Sequence, residues 1–223
     1  KMMKSYLLGI DIGTSACKVA VFDRNGKVLA AASGDYPVYY PHEGWAEQNP
    51  EEWWDAVCRA TKETIQKADI TADEIAGIGI DGQSWSAIPI DREGNVLANT
   101  PIWMDTRAQS ICDRLNQEIG QEEIFEVAGN SLQPSYSTAK ILWYKENLPE
   151  VYAKIHKILQ SNSYIAFKLT GAITQDVSQG YGLHCFNMKK GCWDEKMRER
   201  LGIPMEFLPE ICDCDHVVGT VTG

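Results

Sequence analysis

The sequence predicts an α/β fold with a mixed central sheet and helical insertions. Three observations carry that prediction. An apolar run ends in Asp11, a small turn follows (Gly13-Thr14-Ser15-Ala16), and a second apolar run reaches Asp23. Asn25-Gly26, the strongest kind of short hairpin signal, then turns the chain back into Lys27-Val28-Leu29-Ala30-Ala31, so the opening reads as three antiparallel strands joined by two hairpins. An amphipathic helix pattern follows from Pro50 to about Lys67. Finally, Ile75-Ala76-Gly77-Ile78-Gly79-Ile80-Asp81 is an unbroken apolar strand of the kind buried on both faces of a sheet, and the helix before it makes it parallel to the first strand.

The turn after Asp11 carries the first chemical signal. Gly13 lets the backbone approach a ligand closely, and Thr14 and Ser15 offer hydroxyl and N–H groups in a concavity that suits phosphate. Asp11 repels a bare phosphate, so the arrangement makes sense with a cation between them, and Mg²⁺ fits, taking one or two carboxylates plus phosphate oxygens. The alternative is a plain hairpin in which Asp11 only forms the strand end. Asp81 ends the neighbouring parallel strand, so the two acids share a rim, and open α/β sheets bind ligands at that rim.

The remaining elements follow in order. Residues 34–48 read as a loop rich in aromatics and proline, with His42 a loop residue and Trp45, Trp53 and Trp54 packing groups. Asn49 caps the first helix, with Pro50 in its first position and Glu51 and Glu52 at the positive end of its dipole. Residues 87–91 and 95–98 read as a hairpin-like pair around Arg92-Glu93-Gly94. Asp105 or Thr106 caps a helix running to about Glu118. From Gly120 the chain is mostly helical, over residues 121–128, 137–147, 150–154, 162–169 and 193–201, with a strand at 155–159 and an extended stretch beginning at Val217.

Composition narrows the function. The 223 residues, 44% of them hydrophobic, suffice for one sizeable core. A net charge of −10 argues against nucleic acid as a partner, since that needs a basic face. No run approaches the roughly 20 apolar residues of a membrane span. Residues 1–4 lead straight into the first strand without a cleavage-type segment, and Lys1 reads as extraneous. Seven scattered cysteines with no CxxC pair point to a reduced, cytoplasmic protein. Cys212, Cys214 and His216 lack a fourth ligand for a metal, and read as a turn followed by a strand. His184-Cys185 has no legible acid or oxyanion site beside it and reads as a packed segment.

Several dispersed segments together resemble one family. They are Gly9-Ile10-Asp11-Ile12-Gly13-Thr14-Ser15, Gly44 to Trp54, Gly82-Gln83, Ile102-Trp103-Met104-Asp105-Thr106-Arg107, Tyr136 to Trp143 and Leu169-Thr170-Gly171. In order and spread over the chain, they resemble the FGGY carbohydrate kinases, with xylulokinases the nearest subgroup. The resemblance implies a ribonuclease H-like (actin-like ATPase) domain, residues 1–223 being the first of two, with ATP between the domains and the sugar mainly against this one. It implies that a second, C-terminal domain beyond Gly223 supplies the general-base Asp and the adenosine site. A homodimer is compatible with it.

Carried over, Asp11 positions Mg²⁺, while Gly13, Thr14 and Ser15 approach the β- and γ-phosphates. Lys18 adds charge nearby or is a solvated strand-end lysine. Gln83, Ser84 and Trp85 line the sugar pocket, and Trp103 offers an apolar face to the sugar carbons. Asp105 and Arg107 bind hydroxyls or brace the pocket, or else only cap and solvate a helix start. The resemblance thus implies phosphorylation of a ketopentose such as D-xylulose at a primary hydroxyl by the complete protein, this part alone being inactive. Xylulokinases carry Met-His after Gly-Gln where this chain has Ser84-Trp85, which leaves ribulose, glycerol or gluconate open. Outside the family, the rival readings are a metal-dependent nuclease of ribonuclease H fold using Asp11 and Asp81, and a non-catalytic sugar-sensing module.

Overall fold

The computed structural model describes residues 5–222, so the readings of residues 1–4 lie outside the described residues. The described chain forms two compact units, one of residues 5–38 and 49–83, the other of residues 39–48 and 84–222.

The first unit holds strands β1 (Tyr6–Ile12), β2 (Ala16–Phe22) and β3 (Val28–Asp35), helix α1 (Pro50–Lys67) and strand β5 (Ile75–Gly82); the two-residue β4 (Glu47–Gln48) belongs to the second unit. The sheet order is β3-β2-β1-β5, antiparallel through the two hairpins and parallel between β1 and β5, as the sequence predicts. At the Asn25-Gly26 turn, Asp23 Oδ1 accepts from the N–H groups of Asn25 and Lys27, and Gly26 takes the left-handed φ of +80°. Leu8, Ile10, Ile12, Cys17, Val19 and Val21 alternate along β1 and β2 onto one buried face. Helix α1 packs on β2 and β3 and buries Trp53, Ala56, Val57, Ala60 and Thr64. Its Asn49 cap accepts from Glu51 N–H at 3.0 Å. The expectation for residues 75–81 needs correction. They form β5, but none of them is buried. Among the described residues β5 is a sheet edge, hydrogen-bonded to β1 only, and Gly77 and Gly79 leave its face bare.

The second unit contains β4, β6 (Ile88–Ile90), β7 (Thr100–Pro101), α2 (Gln109–Ile119), α3 (Gln121–Ala128), α4 (Ser137–Asn147), α5 (Pro149–Tyr152), β8 (Lys157–Leu159), α6 (Ser161–Thr170), β9 (Thr174–Asp176), α7 (Val177–Gly180), β10 (Phe186–Asn187), β11 (Cys192–Trp193), α8 (Glu195–Leu201) and β12 (Glu210–Cys212). Its core brings together Ile111, Leu115, Ile124, Ile141, Leu183 and Leu201 from the helices and their connections. The pairing of 87–91 with 95–98 shrinks to one bridge, Ile90 to Val96. Fully buried β6 pairs instead with β8, because a buried strand must place its backbone groups on a partner. The helix after Asp105 begins only at Gln109, and neither Asp105 nor Thr106 caps it. Residues 217–222 are irregular rather than extended strand.

Candidate active site

In the first unit the chemistry gathers on the sheet face away from α1. Register sets Asp11 opposite Lys18 on β2 and opposite Asp81 on β5. All three are exposed and line one open depression of about 1020 Å³. The turn beyond Asp11 is closed by Gly13 N–H donating to Ala16 O at 3.0 Å. A Cβ on Gly13 would lie 2.8 Å from that same carbonyl oxygen, so the turn admits no side chain there. Thr14 and Ser15 form the bend, and the Ser15 carbonyl accepts from Tyr36 N–H at 3.2 Å.

Two side chains brace this turn from below. The Tyr36 hydroxyl donates to Gly13 O at 2.5 Å, and Gln83 Nε2 donates to the same oxygen at 3.3 Å. Burial pushes the Tyr36 phenol well above its usual range, so it remains a donor. Gln83 therefore has a structural tie to the phosphate-type turn, and its backbone N–H continues the sheet onto Ile12 O at 2.8 Å. Tyr36 escaped the sequence reading because it sits in an aromatic, proline-rich loop where tyrosine carries no positional signal. A hard divalent cation shared with phosphate fits here through one ligand, the open Asp11 carboxylate, while the Lys18 ammonium across the ladder ligates no metal and would meet the phosphate's charge instead. A two-metal nuclease centre does not fit. Asp81 Oδ1 already accepts from Gly82 N–H at 2.8 Å, and the described residues contain no cluster of three or more His, Cys, Asp or Glu able to hold a metal. That finding covers Cys212, Cys214 and His216 too.

In the second unit Ser84 is half-buried and Trp85 adopts φ +72°, a left-handed backbone that is uncommon outside glycine. Both of its backbone polar groups are held. Trp85 N–H donates to Gln160 Oε1 at 3.0 Å, and Trp85 O accepts from Lys140 Nζ at 2.7 Å. The indole lies against Tyr136, ring centroids 4.4 Å apart, with Tyr181 edge-on at 6.1 Å. Trp85 is thus a packed wall rather than an open platform. Trp103, 42% exposed, is the open aromatic face.

Asp105 and Arg107 are consumed by the protein. Asp105 is fully buried, accepting from Ala46 N–H at 2.7 Å and Arg107 N–H at 2.9 Å. Arg107 Nε reaches both Asp105 oxygens at 3.0 Å, and Nη2 donates to Glu47 at 2.7 Å and Asp105 at 2.9 Å. Its guanidinium lies 3.9 Å from the Trp45 ring centroid and 4.9 Å from that of Trp143. Both side chains thus tie residues 45–47 to the segment at 105–107.

Helix α4 supplies what sequence reasoning missed. Ser137, Lys140 and Tyr144 fall on one stripe and donate to Ser86 O, Trp85 O and Ala87 O, at 2.7 Å each. Burial pushes the Lys140 ammonium down to about 7, with the Asp105 carboxylate opposing that shift. The available signal was a lysine among apolar residues, Ala139-Lys140-Ile141-Leu142, on a helix with little amphipathic contrast. His184 and Cys185 are buried and inert. Nε2 faces the Ser131 carbonyl at 3.1 Å and must carry the proton, so Nδ1 accepts from the Thr138 hydroxyl at 2.7 Å, while burial drives the Cys185 thiol up to about 12.

A mixed sheet in the order β3-β2-β1-β5, with an acid and a glycine turn at the end of β1, defines an α/β domain of actin-like ATPase fold. The model of the FGGY family of carbohydrate kinases, N-terminal domain, matches residues 6–223, and the chain belongs to that family. It is 31% identical to the xylulose kinase of Bacillus subtilis, covering 97% of this chain and 43% of that protein. It is 32% identical to the glycerol kinase of Thermococcus gammatolerans, covering 97% and 45%. The crystal structure of a gluconate kinase from Lactobacillus acidophilus superposes with a TM-score of 0.90 at 31% identity, over 97% of this chain and 44% of that one. The chain thus spans less than half the length of the curated relatives it matches. Among the described residues no helix is long and apolar enough to cross a membrane.

Proposed function

We propose that this chain is the N-terminal, sugar-binding half of an ATP-dependent kinase that phosphorylates a small sugar, a ketopentose such as D-xylulose, at a primary hydroxyl. The observation that carries the reading is the strand end at Asp11: an open carboxylate, Lys18 opposite it, and a turn whose Gly13 has no space for a side chain. Asp11 would hold Mg²⁺. Gly13, Thr14 and Ser15 would approach the β- and γ-phosphates, and Lys18 would offset their charge. ATP supplies the phosphoryl group when bound, with Mg²⁺ neutralising charge on the phosphates. Gln83 keeps the turn in place, Ser84 and Trp85 form a wall of the sugar site, and Trp103 offers its exposed face to the sugar carbons. Asp105 and Arg107 brace the wall. The catalytic base and the adenosine site belong to a second domain of the same protein, which the relatives' greater length supports. The chemistry then rests on positioning and charge stabilisation rather than on covalent work by the protein. A cytoplasmic setting accords with seven free thiols.

A second reading within the family has its own support. Ser84-Trp85 stands after Gly82-Gln83, and the similar proteins include glycerol and gluconate kinases. A polyol or a sugar acid is then the acceptor. ADP release by the complete protein, measured with D-xylulose, D-ribulose, glycerol and gluconate, separates the two. The ketopentose reading expects the highest kcat/KM with a pentulose; a preference for glycerol or gluconate replaces it with the second.

A further inference from the structure

Lys140 is a lysine with no exposed surface, and its partners are backbone carbonyls. Its ammonium donates to Trp85 O at 2.7 Å, Ile102 O at 3.0 Å and Ser135 O at 2.6 Å. An ammonium carries three hydrogens, so one side chain satisfies three separate loops and is itself satisfied. Each of the three carbonyls lies at an aromatic residue: Trp85's own, the one before Trp103, and the one before Tyr136.

From these contacts we infer that Lys140 is a positioning residue, fixing the backbone beneath Trp85, Trp103 and Tyr136 in the single arrangement that receives the sugar. The inference rests on the sugar-kinase reading above for the identity of the ligand. Three further features support it. Trp85 holds a left-handed backbone, which persists only where the surroundings over-determine it. Here the determinants are Gln160 on its N–H and Lys140 on its carbonyl. Gly182 closes the same corner, since a Cβ there would come within 2.9 Å of Gln160 Nε2 and 3.2 Å of the Trp85 ring. Lastly, the stripe continues along α4, where Ser137 and Tyr144 grip the next two carbonyls, so the segment leaving β5 is registered against one rigid helix. Desolvating the ammonium is costly, the three carbonyls offset that cost, and removing the ammonium would strand all three. Its distinctive yield is that three chain segments cannot move independently.

The test compares Lys140→Met and Lys140→Gln in the complete protein. Methionine is one bond shorter and removes every donor, while glutamine, also one bond shorter, keeps two. The expected result is a sugar KM raised about tenfold or more in Lys140→Met and less in Lys140→Gln, with the KM for ATP within about twofold of wild type. Hydrogen–deuterium exchange should accelerate together in the peptides covering residues 84–87, 102–105 and 135–138, and little elsewhere. Should Lys140→Met fail to fold, Lys140→Gln is read alone against the same two criteria. An unchanged sugar KM in a folded variant overturns the inference, as does exchange that rises evenly along the chain or in none of the three peptides. The exchange readout needs no turnover. If wild type shows no sugar-dependent ADP release, the kinase reading fails by itself and the exchange pattern still decides whether Lys140 couples the loops.

Discussion

His184 illustrates how much a single buried side chain can impose. Burial lowers its pKa to about 4, and its two nitrogens are matched to one acceptor and one donor in the neutral form. Folded, the imidazole stays neutral down to about pH 4; unfolded, it takes a proton near its ordinary value of about 6.5. Between these values the unfolded chain binds more protons, so stability is complete above about 6.5 and falls as the pH drops through the window, by about 3 kcal/mol from this group. Urea unfolding of wild type and His184→Gln at pH 7.5, 5.5 and 4.5 should show the wild-type curve descending more steeply by that amount; parallel curves would count against it. At this scale residue type was legible and role only partly so. The pairing of Asp105 with Arg107 could be read as hydroxyl binding, bracing or capping. Asp105 meets the Ala46 N–H, 59 positions earlier, and no spacing rule reveals such a contact. The partners of Lys140 are hidden for the same reason, its three acceptors lying 55, 38 and 5 positions away.

Among the elements, the turn between β1 and β2 concentrates the constraint. Gly13→Ala drives a methyl to 2.8 Å from the Ala16 carbonyl and displaces Thr14 and Ser15. In the complete protein the KM for ATP should rise, or kcat fall, by about tenfold or more, while sugar affinity measured by calorimetry stays within about twofold. Equal loss of both would mean that the turn does not serve the phosphate side. Local patterns made most of this scale readable. The hairpin at Asn25-Gly26, the cap at Asn49 and helices α3 and α4 stand where their sequence signals put them, because each signal acts over a few residues. The failures are long-range. β6 chooses β8 over its neighbour, and β9 pairs with β12 although 33 residues separate them in the chain. Short strands of two or three residues carry too few side chains to show a period. Helix α4 escaped as a clamp because its polar stripe faces inward, which flattens the contrast that marks an amphipathic helix.

The whole molecule adds what neither scale supplies. The apolar run at 75–81 signals a doubly buried strand, yet in the described residues it is an edge, and the sheet face bearing Asp11, Lys18 and Asp81 stands open. The chain spans under half the length of the curated relatives it matches. Asp11 is proposed to serve phosphoryl transfer while the aromatic site in the second unit holds the sugar. The most direct measurement is sugar-dependent ADP release and sugar binding by the complete protein carrying Asp11→Asn, an isosteric loss of charge. Turnover should fall by about a hundredfold or more while the sugar dissociation constant stays within about twofold. Turnover within a few-fold of wild type would contradict that proposal.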